Sequence, residues 1–413
     1  MCGRLLTKKY CIRRINKMVK LANSNACTGC GACAFKCPKG CITMKENKIG
    51  IILPHIDEGS CVGCHACEKV CPVLNEVLPF QSQKAYAAWS LDDEERRTSA
   101  SGGIAAEMYK LAVENGYKII GAVQQDDFSV KHEMAASIKA TENFKNSKYV
   151  FSSAYDVFPL VKNAIRNQQK VLFIGLPCQV AAMRKLYGNV EHLLLVEVVC
   201  HGTTPVSYLR QHIDKLNKEA GDIAKRMSFR DPYTYTYTFT FTLYNADNKL
   251  FYAKRTKDGD TYQFGYHRAV SYRENCYHCR FAKPERNADI TIADYHGLGL
   301  VKPAAYDAKK VSLILVNNEK GRDFVDRLIA EKRIFAEERP LEEPFKCESQ
   351  LRHPSLKTKY RKMFEEDIEK YHGYFEKAIV RSQKKNMRDE KLRYIKSYPK
   401  KIIKKILKTI GLI

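Results

Sequence analysis

Two runs of cysteine limit this chain most: CTGCGACAFKCPKGC from Cys27 and CVGCHACEKVCP from Cys61. Each contains C-x2-C-x2-C-x3-C-P, as Cys27, Cys30, Cys33 and Cys37 before Pro38 and as Cys61, Cys64, Cys67 and Cys71 before Pro72. That spacing is the signature of a two-cluster 4Fe-4S ferredoxin, in which the fourth cysteine of each motif ligates the other cluster. It assigns Cys27, Cys30, Cys33 and Cys71 to one cluster and Cys61, Cys64, Cys67 and Cys37 to the other. Zinc is the competing metal, but its usual paired C-x2-C sites do not need a third cysteine three residues on. Gly29, Gly31 and Gly63 let the backbone come close to an inorganic core, where N–H groups bond sulfide and help set the potential. Cys41 has the wrong spacing and binds a cluster only by displacing a better-placed ligand. It is read as a spare thiol, as are Cys2, Cys11 and Cys347.

Sixteen cysteines would suggest disulfides in a small secreted domain, but in a chain of 413 residues their clustering favours metal in a reducing compartment. The length allows two or three domains, each burying its own core. No run of about 18 apolar residues is present to span a membrane. The basic opening MCGRLLTKKYCIRRINKMVKLANSNA lacks the apolar block and cleavage site of a secretory signal, so a cytoplasmic location is expected. The net charge of +24 is concentrated at the end, where residues 381–413 hold twelve Lys or Arg against Asp389 and Glu390. No recognised binding motif accompanies this charge, and nucleic acid is not expected as a partner.

The expected fold is an α+β ferredoxin-like N-terminal domain, a larger α/β domain and a basic helical C-terminal tail. A basic leader covers residues 1–21 and the ferredoxin domain 22–80, where CITMKENKIGIILPHID reads as two strands around a turn. Over 84–335, YKIIGAVQ, KVLFIG and KVSLILVN read as buried strands. Helices are expected over 103–115, 155–168, 178–187 and 319–332, an alternation that implies an α/β domain. YTYTYTFTFTLYNADNKLFYAKRT alternates Thr with aromatics from Tyr233 and predicts an antiparallel hairpin with one packed face. Residues 336–413 are charged and helical. PKKIIKKILKTIGLI ends them with Ile402, Ile403, Ile406, Leu407 and Ile410 on one stripe, and Pro399 suits a helix start. Such a helix lies on an anionic membrane surface, peripheral to the inner membrane, or docks on protein. The two readings carry equal weight.

Four cysteines remain, far apart in sequence: Cys178, Cys200, Cys276 and Cys279. The first two each follow an expected strand, which puts both at one edge of a parallel sheet, where α/β folds gather ligands. The C-x2-C pair from a later loop completes a third four-thiolate site, unless these residues form a redox disulfide, a zinc site or unrelated buried thiols. His201 and His278 are alternative ligands.

The order of ferredoxin motif, SASGG, NSKYVFSS, GLPCQVAAMRK, CHG and CYHCRFAKPERNADITIADYHG resembles the coenzyme F420 hydrogenase/dehydrogenase beta-subunit family, in its form with a fused N-terminal ferredoxin. The resemblance covers roughly residues 22–330. It implies an FAD-containing α/β domain with a third 4Fe-4S cluster on Cys178, Cys200, Cys276 and Cys279. It also implies FAD contacts at Ser101, Gly102 and Gly103, ahead of an expected helix whose free N–H groups attract phosphate, and at Lys148, Tyr149 and Ser152. Leu176 replaces the family's usual Thr and His296 stands where many members have an aromatic, so the substrate is not carried over from deazaflavin-using members. No side chain is assigned as catalytic; His201, His296 and Tyr295 are proton-donor candidates by motif position.

The expected function is that of an iron–sulfur flavoprotein oxidoreductase. It takes electrons from a redox partner protein or reduced carrier and acts on coenzyme F420 or another small organic molecule. The alternative is a non-catalytic electron-transfer subunit serving a separate enzyme.

Overall fold

A computed structural model describes residues 19–409, with side chains described as far as Ser397. Residues 1–18 of the expected leader, with Cys2 and Cys11, and the side chains of the terminal apolar stripe lie outside the described residues.

The two cysteine motifs fold alike. A left-handed residue, Gly31 at φ 79° or His65 at φ 57°, turns each chain into a short helix, Ala32–Lys36 or Ala66–Val70. Gly31 is required on a second count, because a Cβ there would lie 2.5 Å from the Tyr155 ring. Each helix ends at an extended cysteine, Cys37 or Cys71, whose following proline disfavours continuation. Between them, Ile42–Glu46 and Ile52–Ile56 pair antiparallel as the expected hairpin.

The larger region is built on a nine-stranded sheet. Its centre is four neighbouring parallel strands, Lys118–Gln124, Val171–Gly175, Leu193–Val198 and Ile290–Asp294. Such strands are covered on both faces, and VLFIG accordingly carries no polar residue. Ile104–Glu114 and Glu319–Ala330 pack Met108, Leu111, Phe324 and Leu328 on one face. Phe158–Arg166 and Pro177–Tyr187 pack Phe158, Val161, Val180 and Met183 on the other. Ser312–Val316, Lys84–Ser90 and Ile334–Arg339 extend the sheet antiparallel, so it reaches Arg339, past the boundary expected at 335. The cysteine-rich region docks on the second face: Ala32 and Val70 join its core, and the Phe35 ring lies 5.7 Å from Phe158.

Two expectations are corrected, the first only in extent. The expected hairpin forms, Phe241–Tyr244 against Leu250–Lys254 with Arg226–Ser228 on its other side, but its first strand is short, because residues 236–238 form a 3-10 turn. Arg230 bends the chain away from a strand: its Nε donates to the Thr236 carbonyl at 3.0 Å, and its guanidinium covers the Phe239 ring at 4.2 Å. Pro399 does not begin a helix either. The last helix runs Phe375–Thr409, straight through it. Among the described residues no helix is long and apolar enough to cross a membrane.

That last helix is part of a second core rather than a detached tail, since Phe375, Ala378 and Ile379 pack with Phe364, Tyr208 and Tyr262. His212 sits at the junction, 1% exposed, with Nδ1 2.8 Å from Glu376 and Nε2 3.1 Å from Asp260. Burial opposes its charge, but Asp260 and Glu376 overcome burial and raise its pKa to about 9. A raised pKa stabilises the fold fully below the unfolded value of about 6.5. That contribution, on the order of 3 kcal/mol, is lost as pH rises through about 9. Urea unfolding at pH 6 and pH 10 is expected to show this loss in the native chain and little of it in His212→Gln.

Candidate functional site

Three cavities are walled by cysteine. The first is lined by Cys27, Cys30, Cys33 and Cys71, with Leu21, Met44 and Val73 around them. The second is lined by Cys37, Cys61, Cys64 and Cys67. Each motif thus sends its fourth cysteine to the other's cavity, because the chain leaves the short helix extended. Cys41, read above as spare, borders the second cavity as well, its Sγ 3.4 Å from that of Cys37. All described cysteines are free thiols.

The third cavity, about 690 Å³ including its mouth, is lined by Cys178, Cys200, Cys276 and Cys279. Cys178 follows Val171–Gly175 and Cys200 follows Leu193–Val198. These strands are parallel neighbours, which puts both cysteines at the same sheet edge. Cys276 and Cys279 come from the 3-10 turn Glu274–His278 and its exit. The Thr203 N–H donates to Cys276 Sγ at 3.4 Å. His201 also lines this cavity, whereas His278 is 62% exposed and pairs with Glu274.

The chemistry of these donors fits multi-iron clusters. Burial, followed by the neighbouring thiols Cys279, Cys200 and Cys276, pushes Cys178 well above the usual thiol range. Burial pushes Cys30 and Cys279 each up to about 11. Thiols so crowded and desolvated give up their protons when a cationic core replaces them. Among the described residues no three His, Cys, Asp or Glu side chains close to the spacing of one metal ion.

Cys30 and Thr28 line both the first and the third cavity, so the two share a wall. Two arginines that sequence reasoning passed over also border the third cavity, Arg273 and Arg286. Both stand within seven residues of the C-x2-C pair, in a stretch that also carries Arg268, Arg280, Lys283 and Glu285, so the sequence does not single them out.

The residues expected to meet FAD divide into separate places. Gly103 begins the helix Ile104–Glu114, whose start no side chain caps. The Gly102 N–H is engaged by Ser312 Oγ at 2.9 Å, and a Cβ there would lie 2.6 Å from the Ala88 carbonyl, so Gly102 serves close strand packing. Ser101 Oγ donates to the Val311 carbonyl at 3.3 Å. Lys148 spends two ammonium hydrogens on the carbonyls of Asn143 and Lys145 at 3.0 and 2.8 Å. The Tyr149 ring stacks on Tyr266 with centroids 4.3 Å apart. Ser152 lines the third cavity instead, where its carbonyl and Oγ accept from Gln179 Nε2.

The loop after Arg230 links these places. Lys310 Nζ donates to Ser99 O, beside the glycine segment, and to Thr236 Oγ1. Arg230 meets Asp294 at 2.7 Å and lies against the Tyr149 hydroxyl, while among the described residues its Nη2 makes no hydrogen bond. Asn146 Oδ1 and His267 Nε2 are likewise buried without partners. Orphaned polar atoms beside stacked tyrosines and buried cations fit an anionic aromatic cofactor.

Of the proton-donor candidates, Tyr295 donates to Glu343 at 2.9 Å. His201 and His296 both face the buried carboxylate of Glu348, at 3.9 and 3.7 Å.

Residues 168–342 match the family described as coenzyme F420 hydrogenase/dehydrogenase, C terminus of the beta subunit, and residues 26–75 match a 4Fe-4S dicluster domain. The chain is similar to a subunit of the F(420)H(2) dehydrogenase of Methanosarcina mazei, 21% identical over 342 residues, covering 78% of this chain and 88% of that protein. It is 29% identical over 179 residues to coenzyme F420-dependent sulfite reductase of Methanocaldococcus jannaschii, covering 41% of this chain and 26% of that protein. Among solved structures, a chain of the F420-reducing NiFe hydrogenase complex from Methanosarcina barkeri aligns at 18% identity with a TM-score of 0.41, covering 74% of this chain and 92% of that one. The chain thus carries the C-terminal region of the coenzyme F420 hydrogenase/dehydrogenase beta subunit over residues 168–342, together with a 4Fe-4S dicluster domain over residues 26–75.

Proposed function

We propose that this chain is an iron–sulfur flavoprotein oxidoreductase that moves electrons between a redox partner and a small organic molecule. The carrying observation is the shared wall. Cys178, Cys200, Cys276 and Cys279, drawn from three separate segments, line a cavity that meets the first ferredoxin cavity at Cys30 and Thr28. That adjacency supports a third 4Fe-4S cluster held by these four cysteines, between the dicluster region and the α/β domain.

The region from Ser101–Gly103 to Lys148–Tyr149 supports FAD. Gly103 and the uncapped start of Ile104–Glu114 suit its phosphates. Tyr149, with Arg230 and Asn146 nearby, suits the ring. FAD supplies what clusters lack, the exchange of single electrons for a hydride. His201, which lines the third cavity, and His296 both face Glu348; burial lowers the His201 pKa, so a neutral imidazole stands there to take up a proton.

The relatives' names support a deazaflavin coenzyme as one candidate substrate, while Leu176 and His296 depart from those members near the expected site. Anaerobically loaded chain is to be mixed separately with reduced deazaflavin, reduced nicotinamide and reduced ferredoxin while the flavin absorbance is followed. Bleaching by a hydride donor with no other protein present is the expected result. Bleaching only after a partner protein is added would make this a non-catalytic electron-transfer subunit.

A further inference from the structure

We infer that Arg273 is an electrostatic bridge between the first ferredoxin centre and the Cys178, Cys200, Cys276 and Cys279 centre, a fixed positive charge that favours the reduced state of both. This rests on the three-cluster reading above.

Arg273 is held by the same turn that carries the C-x2-C pair. Its N–H donates to the Thr203 carbonyl at 2.8 Å, and its carbonyl accepts from the Cys276 N–H at 3.0 Å. From there its side chain crosses to the other centre. Nη1 donates to the Thr28 carbonyl at 2.8 Å, inside the first cysteine motif, and the guanidinium covers the Phe151 ring at 4.4 Å. Nη2 comes so close to Gly29 that a Cβ there would lie 2.9 Å from it. Glycine at position 29 is what lets the arginine reach the motif.

The charge lacks an ordinary counter-ion. Arg273 is 3% exposed, its Nε and Nη2 have no hydrogen-bond partner, and among the described residues no carboxylate pairs with it. A buried guanidinium left in that state costs several kcal/mol. The groups of opposite potential charge that face it are the thiols of Cys276 and Cys178 on one side and Cys27 and Cys30 on the other. Those are ligands of two different centres, and the guanidinium stands between them.

A cluster held by four thiolates is an anion and becomes more negative on reduction, so net charge and hydrogen bonds to its sulfurs set its potential. The two unspent donors of Arg273 supply both terms. Drawing the potentials of two neighbouring centres up together keeps electron exchange between them near balance. Among the described residues no arginine lines the second ferredoxin cavity, which makes that centre an internal control.

The test is an EPR-monitored redox titration of the full, anaerobically loaded chain as native protein, Arg273→Met, Arg273→Lys and Arg273→Gln. In Arg273→Met the two flanking centres are expected to become at least tenfold harder to reduce, a lowering of ~59 mV or more for one electron. The Cys37, Cys61, Cys64 and Cys67 centre is expected to keep its midpoint, and Arg273→Lys to hold the flanking centres near their native values. Unchanged midpoints in Arg273→Met at native iron content would overturn the inference. Should Arg273→Met fail to retain iron, Arg273→Lys against Arg273→Gln decides: a higher midpoint for the lysine variant supports the bridge, and equal midpoints overturn it. A native iron count short of three clusters fails the three-cluster reading instead, which keeps the two failures distinguishable.

Discussion

Cys276→Ser is expected to leave about eight of about twelve irons per chain and to stop the ferredoxin centres from reducing the flavin. The proposed third centre takes its four cysteines from three separate segments, so it has no local run of cysteines that can rebind iron after one is lost. Serine is far less acidic than a thiol, and cluster ligands bind in their deprotonated form. The first two centres are built entirely within residues 27–71 and are expected to keep their spectra. Iron and sulfide analysis checks the first part, and stopped-flow reduction by a one-electron donor checks the second. Full iron content with native flavin reduction would remove Cys276 from the site.

Arg286→Met is expected to cost about 3–5 kcal/mol, because it leaves the buried carboxylate of Glu197 without its cation. Arg286 and Glu197 are 1% and 0% exposed at the side chain. The guanidinium pairs with Glu197 and gives Nη1 to the carbonyls of Phe281 and Lys283 at 3.3 and 2.8 Å. Its backbone exchanges two hydrogen bonds with Phe80, at the end of the ferredoxin region. One residue therefore ties the loop after Cys279, the strand leading to Cys200 and the linker from the first two centres. Chemical denaturation of the loaded chain measures the loss. Adding Glu197→Gln to Arg286→Met is expected to recover part of it, since the uncompensated charge is gone. Additive losses would show that the pair is not coupled.

Much of this site was legible because iron–sulfur chemistry imposes local spacing. Three thiols within seven residues have few ways to surround a small cavity, and the extended cysteine before proline points elsewhere. The four distant cysteines were legible by a different rule, that residues after neighbouring parallel strands share an edge. Partners defined only by folding were not legible. Nothing in SYRENC says that Arg273 spans to Thr28, and nothing in YVFSS says that Ser152 faces the cysteine cavity while Tyr149 faces Tyr266. The length of the Thr/aromatic run misled for the same reason. Its period of two is real, but Arg230 and Lys310, one next to it and one 74 residues past Thr236, bind its backbone and hydroxyl more strongly than a strand partner would. Cys41 was dismissed on spacing alone, and the fold returns it to within 3.4 Å of Cys37.

The proposed electron path runs through three clusters and one flavin in a single chain. An anaerobic count of iron, acid-labile sulfide and flavin on the reconstituted full chain tests it most directly. About twelve irons, about twelve sulfides and one FAD per chain are expected. About eight irons with no flavin, or zinc at the Cys178, Cys200, Cys276 and Cys279 set, would contradict that path.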